Sequence, residues 1–386
     1  MMIPQPPKYQ QVLKSIEEDI LSGRYSPGQK LPSETALLEQ FETSRITVVR
    51  ALRELQHKGL VRRRAGSGTY VADITATKTN LLFGSLIPDL EDAEIFGPIC
   101  QSIAEYLQSR KHALLWGNIA PGPKEKETQT LELCRQFIAQ KVPGVFFAPL
   151  DLTATNDRTN QAVVSLLEKA GIPIVLLDRS FLPYPERSSH DLVSIDHRYA
   201  GYLTTNHLLK LGCRRIAFVA YRHTSQSTGS RVAGYQDALF RAGVTFESSL
   251  LQPLGSDDSP EIAQLMERQK PDAIVCVDDR TAGHVMQSLI GLNYQIPQDV
   301  KIVGFDDVQY ANLLPVPLTT IHQPCHDIGV AAAAAMLERL SSPNIPAREI
   351  LLDCRLVVRD SCGARAFGDQ SISRISDGML ELTRYK

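Results

Sequence analysis

No apolar run in the 386-residue sequence reaches the roughly 20 residues that a bilayer-spanning helix needs. The opening stretch, MMIPQPPKYQ, has neither the charged nor the apolar region of a secretory signal. Both absences lead us to expect a cytosolic chain with no membrane partner. Cysteine is sparse and scattered: Cys100, Cys134, Cys213, Cys276, Cys325, Cys354 and Cys362 form no CxxC pair and no Cys/His cluster. An odd, dispersed set suggests neither a zinc site nor a disulfide framework, so buried reduced thiols are expected. Net charge is nearly absent as well, 41 Lys and Arg standing against 43 Asp and Glu. That balance hides a basic N-terminal domain and a mildly acidic remainder. Hydrophobic content of 43% is ordinary for a globular chain, and the length leaves room for two or three domains.

What is present is a strongly patterned segment from Gln29 to Val71. Pro32-Ser33-Glu34 starts a helix, because a serine caps orphan amides and an acid suits the positive end of the dipole. Ala36, Leu37, Leu38 and Phe41 give that helix an inner side. Ser44 starts a second helix, with Ile46, Val48, Val49, Leu52 and Leu55 for its buried face. Gly59 ends it. Leu60–Arg64 and Thr69–Val71 then flank the turn Ala65-Gly66-Ser67-Gly68 as two short strands. Seven bases (Arg45, Arg50, Arg53, Lys58, Arg62, Arg63, Arg64) face one acid, Glu54, between Ser44 and Val71. A basic run alone fits a solvated helical hairpin equally well. Caps, turn, glycines and wing together favour a winged helix–turn–helix that reads double-stranded DNA in the major groove.

Residues Lys8 to Ala72 resemble the winged-helix domain of the GntR family of bacterial transcription regulators. The matching motifs are Pro27-Gly28, Leu31-Pro32-Ser33-Glu34, Ser44-Arg45, Thr47-Val48, Ala51-Leu52, Gly59-Leu60-Val61 and Gly66-Ser67-Gly68-Thr69-Tyr70-Val71. The resemblance implies that Ser33, Arg45 and Thr47 face phosphates or base edges, with the wing glycines at the backbone or minor groove. The DNA-contact set expected is Ser33, Glu34, Ser44, Arg45, Thr47, Arg50, Gly66, Ser67 and Gly68. One departure stands out: the family's arginine after the Thr-Val pair is here Val49, and Arg50 follows it. One residue turns a side chain by about 100° on a helix, so Arg50 is not a simple replacement.

Ahead of that segment, Tyr9 to Ser22 has helical apolar spacing, and Gly23 ends it. We place the DNA-binding domain at 1–72 and a polar linker at 73–80. From Leu81 short apolar runs alternate with amphipathic segments: 81–87, 112–117, 144–150, 173–178, 192–196, 216–220, 273–279 and 300–307. Such alternation predicts an α/β fold of two doubly wound parallel lobes. Several runs end in acids, Asp178-Arg179, Asp196-His197, Asp278-Asp279 and Asp306-Asp307. One acid after a strand is commonly a helix cap; four suggest a hydrogen-bonding cleft.

Residues 81–362 resemble the effector domain of the LacI/GalR repressors, itself similar to periplasmic sugar-binding proteins. The resemblance rests on Gly171-Ile172-Pro173 with Asp178-Arg179, Leu211-Gly212, Ser230-Arg231, Gly234-Tyr235, Asp278-Asp279, Val303-Gly304-Phe305-Asp306-Asp307 and Pro317-Leu318-Thr319-Thr320-Ile321 with Gln323-Pro324. It implies two lobes joined by three crossing strands, lobe one at 81–190 plus 325–352 and lobe two at 191–322 plus 354–359. It also implies ligand contacts at Arg231, Asp278, Asp306 and Gln323, with Asp178 or Arg179 from lobe one. Asp278 stands where relatives often carry Asn; an anion accepts but cannot donate, which favours an uncharged, hydroxyl-rich ligand. Arg231 has a competing reading, a salt bridge to a neighbouring Asp. Phe96 fits a sugar-stacking platform or the core equally, and Trp116 is expected in the core. Glu91-Asp92 and Asp257-Asp258 are expected to be solvated loop acids, not metal ligands. Ala331–Ala335 reads as a closely packed helix interior, and 363–386 as an unassigned amphipathic tail.

Together the two resemblances match the architecture of the arabinose repressors of Gram-positive bacteria. They imply a homodimeric regulator, no cofactor, no metal and no catalytic residue. A GntR head fused to a pyridoxal-phosphate aminotransferase is the competing enzyme class, but nothing after Leu81 reads as that domain.

Overall fold

The computed structural model describes residues 7–364 except 22, 27, 58, 65–66, 72–79, 88–94, 117–122, 152–155, 223–224 and 256–258. Gly66, Glu91-Asp92, Asp257-Asp258, nearly all of the linker and the tail from 365 therefore lie outside the described residues. The chain forms two compact units, Met1–Leu81 and Leu82–Lys386.

The first unit runs α1 (Lys8–Leu21), α2 (Glu34–Gln40), α3 (Arg45–His57), β1 (Val61–Arg64) and β2 (Gly68–Val71). Val12, Ile16 and Ile20 of α1 share one core with Leu37, Val48, Ala51, Leu52, Leu55, Val61 and Val71. Ser33 caps α2 by accepting from the Ala36 amide at 3.1 Å. Gly59 closes α3 at φ +69°. The Leu60 amide reaches the Leu55 carbonyl (2.9 Å) and the Gly59 amide the Gln56 carbonyl (3.0 Å), the paired bonds of a left-handed helix stop. The wing pairs Val61 with Val71 and Arg64 with Gly68 in antiparallel register. Gly68 thus belongs to β2, not to the turn. It sits at φ +119°, a backbone conformation that favours glycine, while the Lys30 side chain that passes 2.8 Å from its Cβ position is flexible enough to move. Two helical residues differ from expectation. Ala36 is exposed, and Ile46 is 82% exposed. The buried stripe of α3 is 48, 51, 52 and 55, which turns position 46 outward. Ser33→Ala is expected to cost about 1 kcal/mol of domain stability. A thermal melt of the full chain with an unchanged N-terminal transition would refute that capping role.

The second unit holds two six-stranded sheets. Lobe one contains β3 (Leu82–Leu86), β4 (Ala113–Trp116), β5 (Val145–Phe147), β6 (Ile174–Leu177), β7 (Asp191–Ile195) and β13 (Glu349–Leu352), in the order β13-β7-β6-β5-β3-β4. Lobe two contains β8 (Ile216–Tyr221), β9 (Leu251–Leu254), β10 (Ala273–Cys276), β11 (Lys301–Asp306), β12 (Thr319–His322) and β14 (Arg355–Val357), in the order β14-β12-β11-β10-β8-β9. All neighbours run parallel except β12 and β14. The helices are α4 (Phe96–Gln108), α5 (Pro123–Ala139), α6 (Asn156–Lys169), α7 (His197–Lys210), α8 (Gln226–Arg241), α9 (Ser259–Gln269), α10 (Asp279–Gly291) and α11 (Cys325–Ser341).

Four strands, β9, β12, β13 and β14, were not among the eight apolar runs. Each is short or carries polar residues, as in Thr319-Thr320. The lobe boundary also moves. β7 is paired with β6 and β13, so 191–195 belongs to lobe one and the chain first crosses at Asp196. Asp191 explains why: its fully buried carboxylate takes Arg339 Nη2 from α11 at 2.9 Å and the Arg348 amide ahead of β13 at 2.9 Å. Trp116, expected in the core, is 50% exposed, because β4 is the sheet edge. The alanine run behaves as expected: Ala332, Ala333 and Ala335 are buried, and a Cβ on Gly329 would meet the Ile99 carbonyl of α4 at 2.5 Å. Six cysteines are buried and Cys325 is half-buried, all as free thiols.

Candidate functional site

On the first unit, the outward face of α3 carries Arg45, Ile46, Arg50 and Arg53, all exposed. Ser44 Oγ lies 2.8 Å from Thr47 Oγ1 and accepts from the Thr47 amide, which fixes the start of the helix. Glu34, in the first turn of α2, pairs with Arg45 Nε at 3.5 Å and with Arg63 Nη2 of the wing. It therefore ties two bases together. Arg50 turns toward α1, its guanidinium 4.0 Å from the Tyr9 ring centroid. The position after Thr47-Val48 is held by Val49, which is half-buried. Ser67 Oγ bonds Tyr70 OH at 2.6 Å at the wing turn. Sequence reasoning assigned Ile46 to the core, whereas the core selects Val48, two positions further on.

In the second unit the candidate ligand residues gather where the parallel strands end. Asp178 follows β6, Asp278 follows β10, Asp306 ends β11, Gln323 follows β12, and Arg231 lies on α8. Asp178 and Asp306 have φ of +65° and +110°, and Asp307 +55°. Such backbone is costly for a non-glycine residue and marks strain held in place by its surroundings.

Arg231, 5% exposed, organises the cluster. Its Nε donates to His197 Nδ1 at 3.3 Å, its Nη1 donates to the Val277 carbonyl, and its Nη2 lies 3.8 Å from Asp306 Oδ1. Its Cζ stands 4.6 Å from the Phe305 ring centroid. Since arginine only donates, His197 Nδ1 is the acceptor and the ring proton sits on Nε2. Nε2 lies 2.9 Å from the Asp178 carbonyl oxygen. His197 opens α7 immediately after the first crossing, so Asp178 of lobe one and Arg231 of lobe two meet through it. Sequence reading noted Asp196-His197 only as a strand end and missed this bridge. The Arg231 salt bridge to an Asp is therefore present, as one partner among several.

Gln323, 1% exposed, donates from Nε2 to Asp306 Oδ1 at 2.6 Å. Its Oε1 has no hydrogen-bond partner in the protein, and neither does Asp178 Oδ1. Two buried acceptors without donors are what a donor-bearing ligand would satisfy. Burial pushes the Asp306 carboxyl up to about 7, against the pull of Arg231. Burial would raise Asp178 too, but His197, Arg179 and Arg231 hold it well below the usual carboxylate range.

The remaining candidates have structural duties. Asp278 caps α10, accepting from the Thr281 amide at 2.6 Å, as Asp196 caps α7 through the Tyr199 amide at 2.9 Å. Asp279 is fully buried and binds Thr320 Oγ1 (2.5 Å) and the Val308 amide (3.1 Å). Arg179 donates to the Pro149 carbonyl at 2.9 Å and pairs with Asp151. Phe96 is 1% exposed with the Arg179 guanidinium 5.4 Å from its ring centroid. Its ring supports Arg179 and presents no open stacking face. Among the described residues no group of three His, Cys, Asp or Glu side chains could hold a metal, and no helix is long and apolar enough to cross a membrane.

Known proteins share both parts of this arrangement. Residues 8–71 match the bacterial regulatory proteins of the gntR family, and residues 205–362 match a periplasmic binding protein-like domain. The arabinose metabolism transcriptional repressor of Geobacillus stearothermophilus is 29% identical over 370 residues, covering 92% of this chain and 97% of that protein. Its namesake in Halalkalibacterium halodurans is 26% identical, covering 95% and 99%. A solved complex of the transcriptional regulator CelR with cellobiose has the same fold at TM-score 0.63 and 22% identity, covering 92% of this chain and 100% of that one. The chain therefore joins a GntR-family helix–turn–helix domain to a domain of the periplasmic binding protein-like family.

Proposed function

We infer that the chain is a ligand-responsive, DNA-binding transcriptional regulator that represses carbohydrate-utilisation genes, with a sugar between the two lobes controlling operator affinity. Residues 1–72 read the operator, 73–80 connect, and 81–362 sense. The relatives are transcriptional regulators rather than enzymes. The observation that carries the sensing half is the buried Arg231–His197–Asp178 bridge beside two buried acceptors without donors. Sugar hydroxyls supply those donors and also accept from Arg231. On the reading half, Arg45 contacts a base edge or phosphate, Ser33, Ser44, Thr47 and the wing residues Gly66, Ser67 and Gly68 position the backbone, and Ile46 offers an apolar surface to a thymine methyl. The protein acts as a homodimer on paired half-sites. A ligand that prefers one lobe arrangement shifts operator affinity only by that preference.

The test is fluorescence anisotropy of the full chain with DNA from upstream of its own gene, with and without arabinose and other pentoses and hexoses. Nanomolar, salt-sensitive binding that one sugar alters is expected. Sequence-independent binding that no sugar alters would overturn the reading.

The raised Asp306 carboxyl sets a pH dependence. A hydroxyl donating to it favours the ionised form, so binding must displace a proton below about pH 7. Sugar affinity should rise with pH up to that point and level off above it, falling about tenfold for each unit below. Calorimetric titrations between pH 5.5 and 8.5 check this; a flat profile removes Asp306 from the contact set.

A further inference from the structure

A cavity of about 610 Å³ lies beside the residues assigned above, within the range of small-molecule sites. Neither Arg231, Asp278, Asp306 nor Gln323 lines it, but Asp178 and His197 do. Lobe one contributes the Asp178–Arg187 loop, and lobe two contributes the first turns of α8 from Ser225. We propose that this cavity is a second subsite for a neutral, hydroxyl-rich ring, so that the sensor holds two sugar units, one on each side of the Asp178–His197 pair.

The charge pattern selects the ligand class. Asp157, Asp178, Glu186, Asp196 and Glu349 outnumber the arginines on the walls, which disfavours an anionic ligand. Several of these acids are already engaged: Asp196 caps α7, Glu349 lies 3.8 Å from Arg187, and Asp178 faces His197. Among the described residues no three of these acids converge to hold a metal cation. Asp178, 3% exposed, keeps Oδ1 without a hydrogen bond although His197 Nε2 is 3.3 Å away, because that ring proton points to the Asp178 carbonyl. That oxygen belongs to the first subsite; on the cavity walls Ser180, Gln226 and Ser230 can both donate to and accept from ring hydroxyls. Tyr184, 80% exposed on the cavity wall, gives an aromatic face of the kind that packs against a sugar ring. Because both lobes form the walls, an occupant favours the lobe spacing seen here and couples to the first subsite.

This inference rests on the sugar-sensing reading, and the test separates the two. Gly229 lines the cavity on α8, and a Cβ added there meets nothing within 4 Å, so Gly229→Phe directs a ring from this wall with no clash at its Cβ. Tyr184→Ala is the second variant, at a position that is 80% exposed. Calorimetry of the full chain would compare arabinose and other neutral monosaccharides with their disaccharides. One ligand spanning both subsites gives a disaccharide at least tenfold tighter than its monosaccharide, one per chain, with the advantage lost in both variants. Two separate sugars give two monosaccharides per chain, falling to one in Gly229→Phe. One monosaccharide per chain, no gain from disaccharides and no change in either variant would overturn the second subsite alone. Wild-type protein that binds no saccharide would overturn both readings.

Discussion

Replacing Arg231 with methionine should give a protein that still binds operator DNA but no longer responds to sugar. Methionine keeps much of the apolar stem and removes the guanidinium, so packing against Phe305 is partly retained while three polar contacts vanish. His197 loses the donor that fixes its tautomer, and Asp306 loses its nearest cation. Removing one partner of a buried charged pair costs about 2–5 kcal/mol, or roughly thirtyfold to several-thousandfold in ligand affinity. The same loss lowers the stability of the second unit, so calorimetry and anisotropy should be run well below its melting temperature. DNA affinity serves as the control, because the reading helices belong to a separate compact unit. Normal induction in Arg231→Met would show that the effector binds elsewhere.

Arg45→Ala should weaken operator binding by about 1–3 kcal/mol, roughly fivefold to 150-fold. Arg45 is 79% exposed at the start of α3 and pairs with Glu34 at 3.5 Å, a surface contact, so truncation costs little folding energy. The salt dependence separates the two roles open to it. A phosphate contact lowers the salt slope by about one and weakens all sequences alike. A base contact instead relaxes specificity at one operator position. Glu34→Gln should give a smaller loss, since it frees both Arg45 and Arg63 from a shared carboxylate without removing either. Wild-type affinity in Arg45→Ala would remove this helix from the operator interface.

Features governed by neighbours along the chain were legible from residues alone. Ser33 caps α2, Gly59 stops α3, and the apolar runs at 81–87, 144–150, 173–178 and 273–279 became strands. Features governed by partners far along the chain were not. Ile46 and Val48 are both β-branched apolar residues two positions apart, and the core shared by α1, α2, α3 and the wing decides which is buried. Trp116 has a strand's pattern, but edge position, which depends on sheet order, exposes it. β12 carries Thr319-Thr320, whose hydroxyls are satisfied by Cys362 and Asp279, a pairing that no local pattern announces. The assignment of β7 to lobe one depends on Asp191 reaching Arg339, 148 positions away.

The sequence by itself determined the winged helix–turn–helix, the alternating α/β sensor and the resemblance to GntR and LacI/GalR proteins, because caps, periodicity and glycine positions act over a few residues. Only the tertiary structure decided which side chains meet in the sensor. Asp178, His197, Arg231, Asp306 and Gln323 come from five separate segments, and their burial, strained backbone and unmet hydrogen bonds exist only once the two sheets have folded and the lobes meet at Asp178, His197 and Arg231.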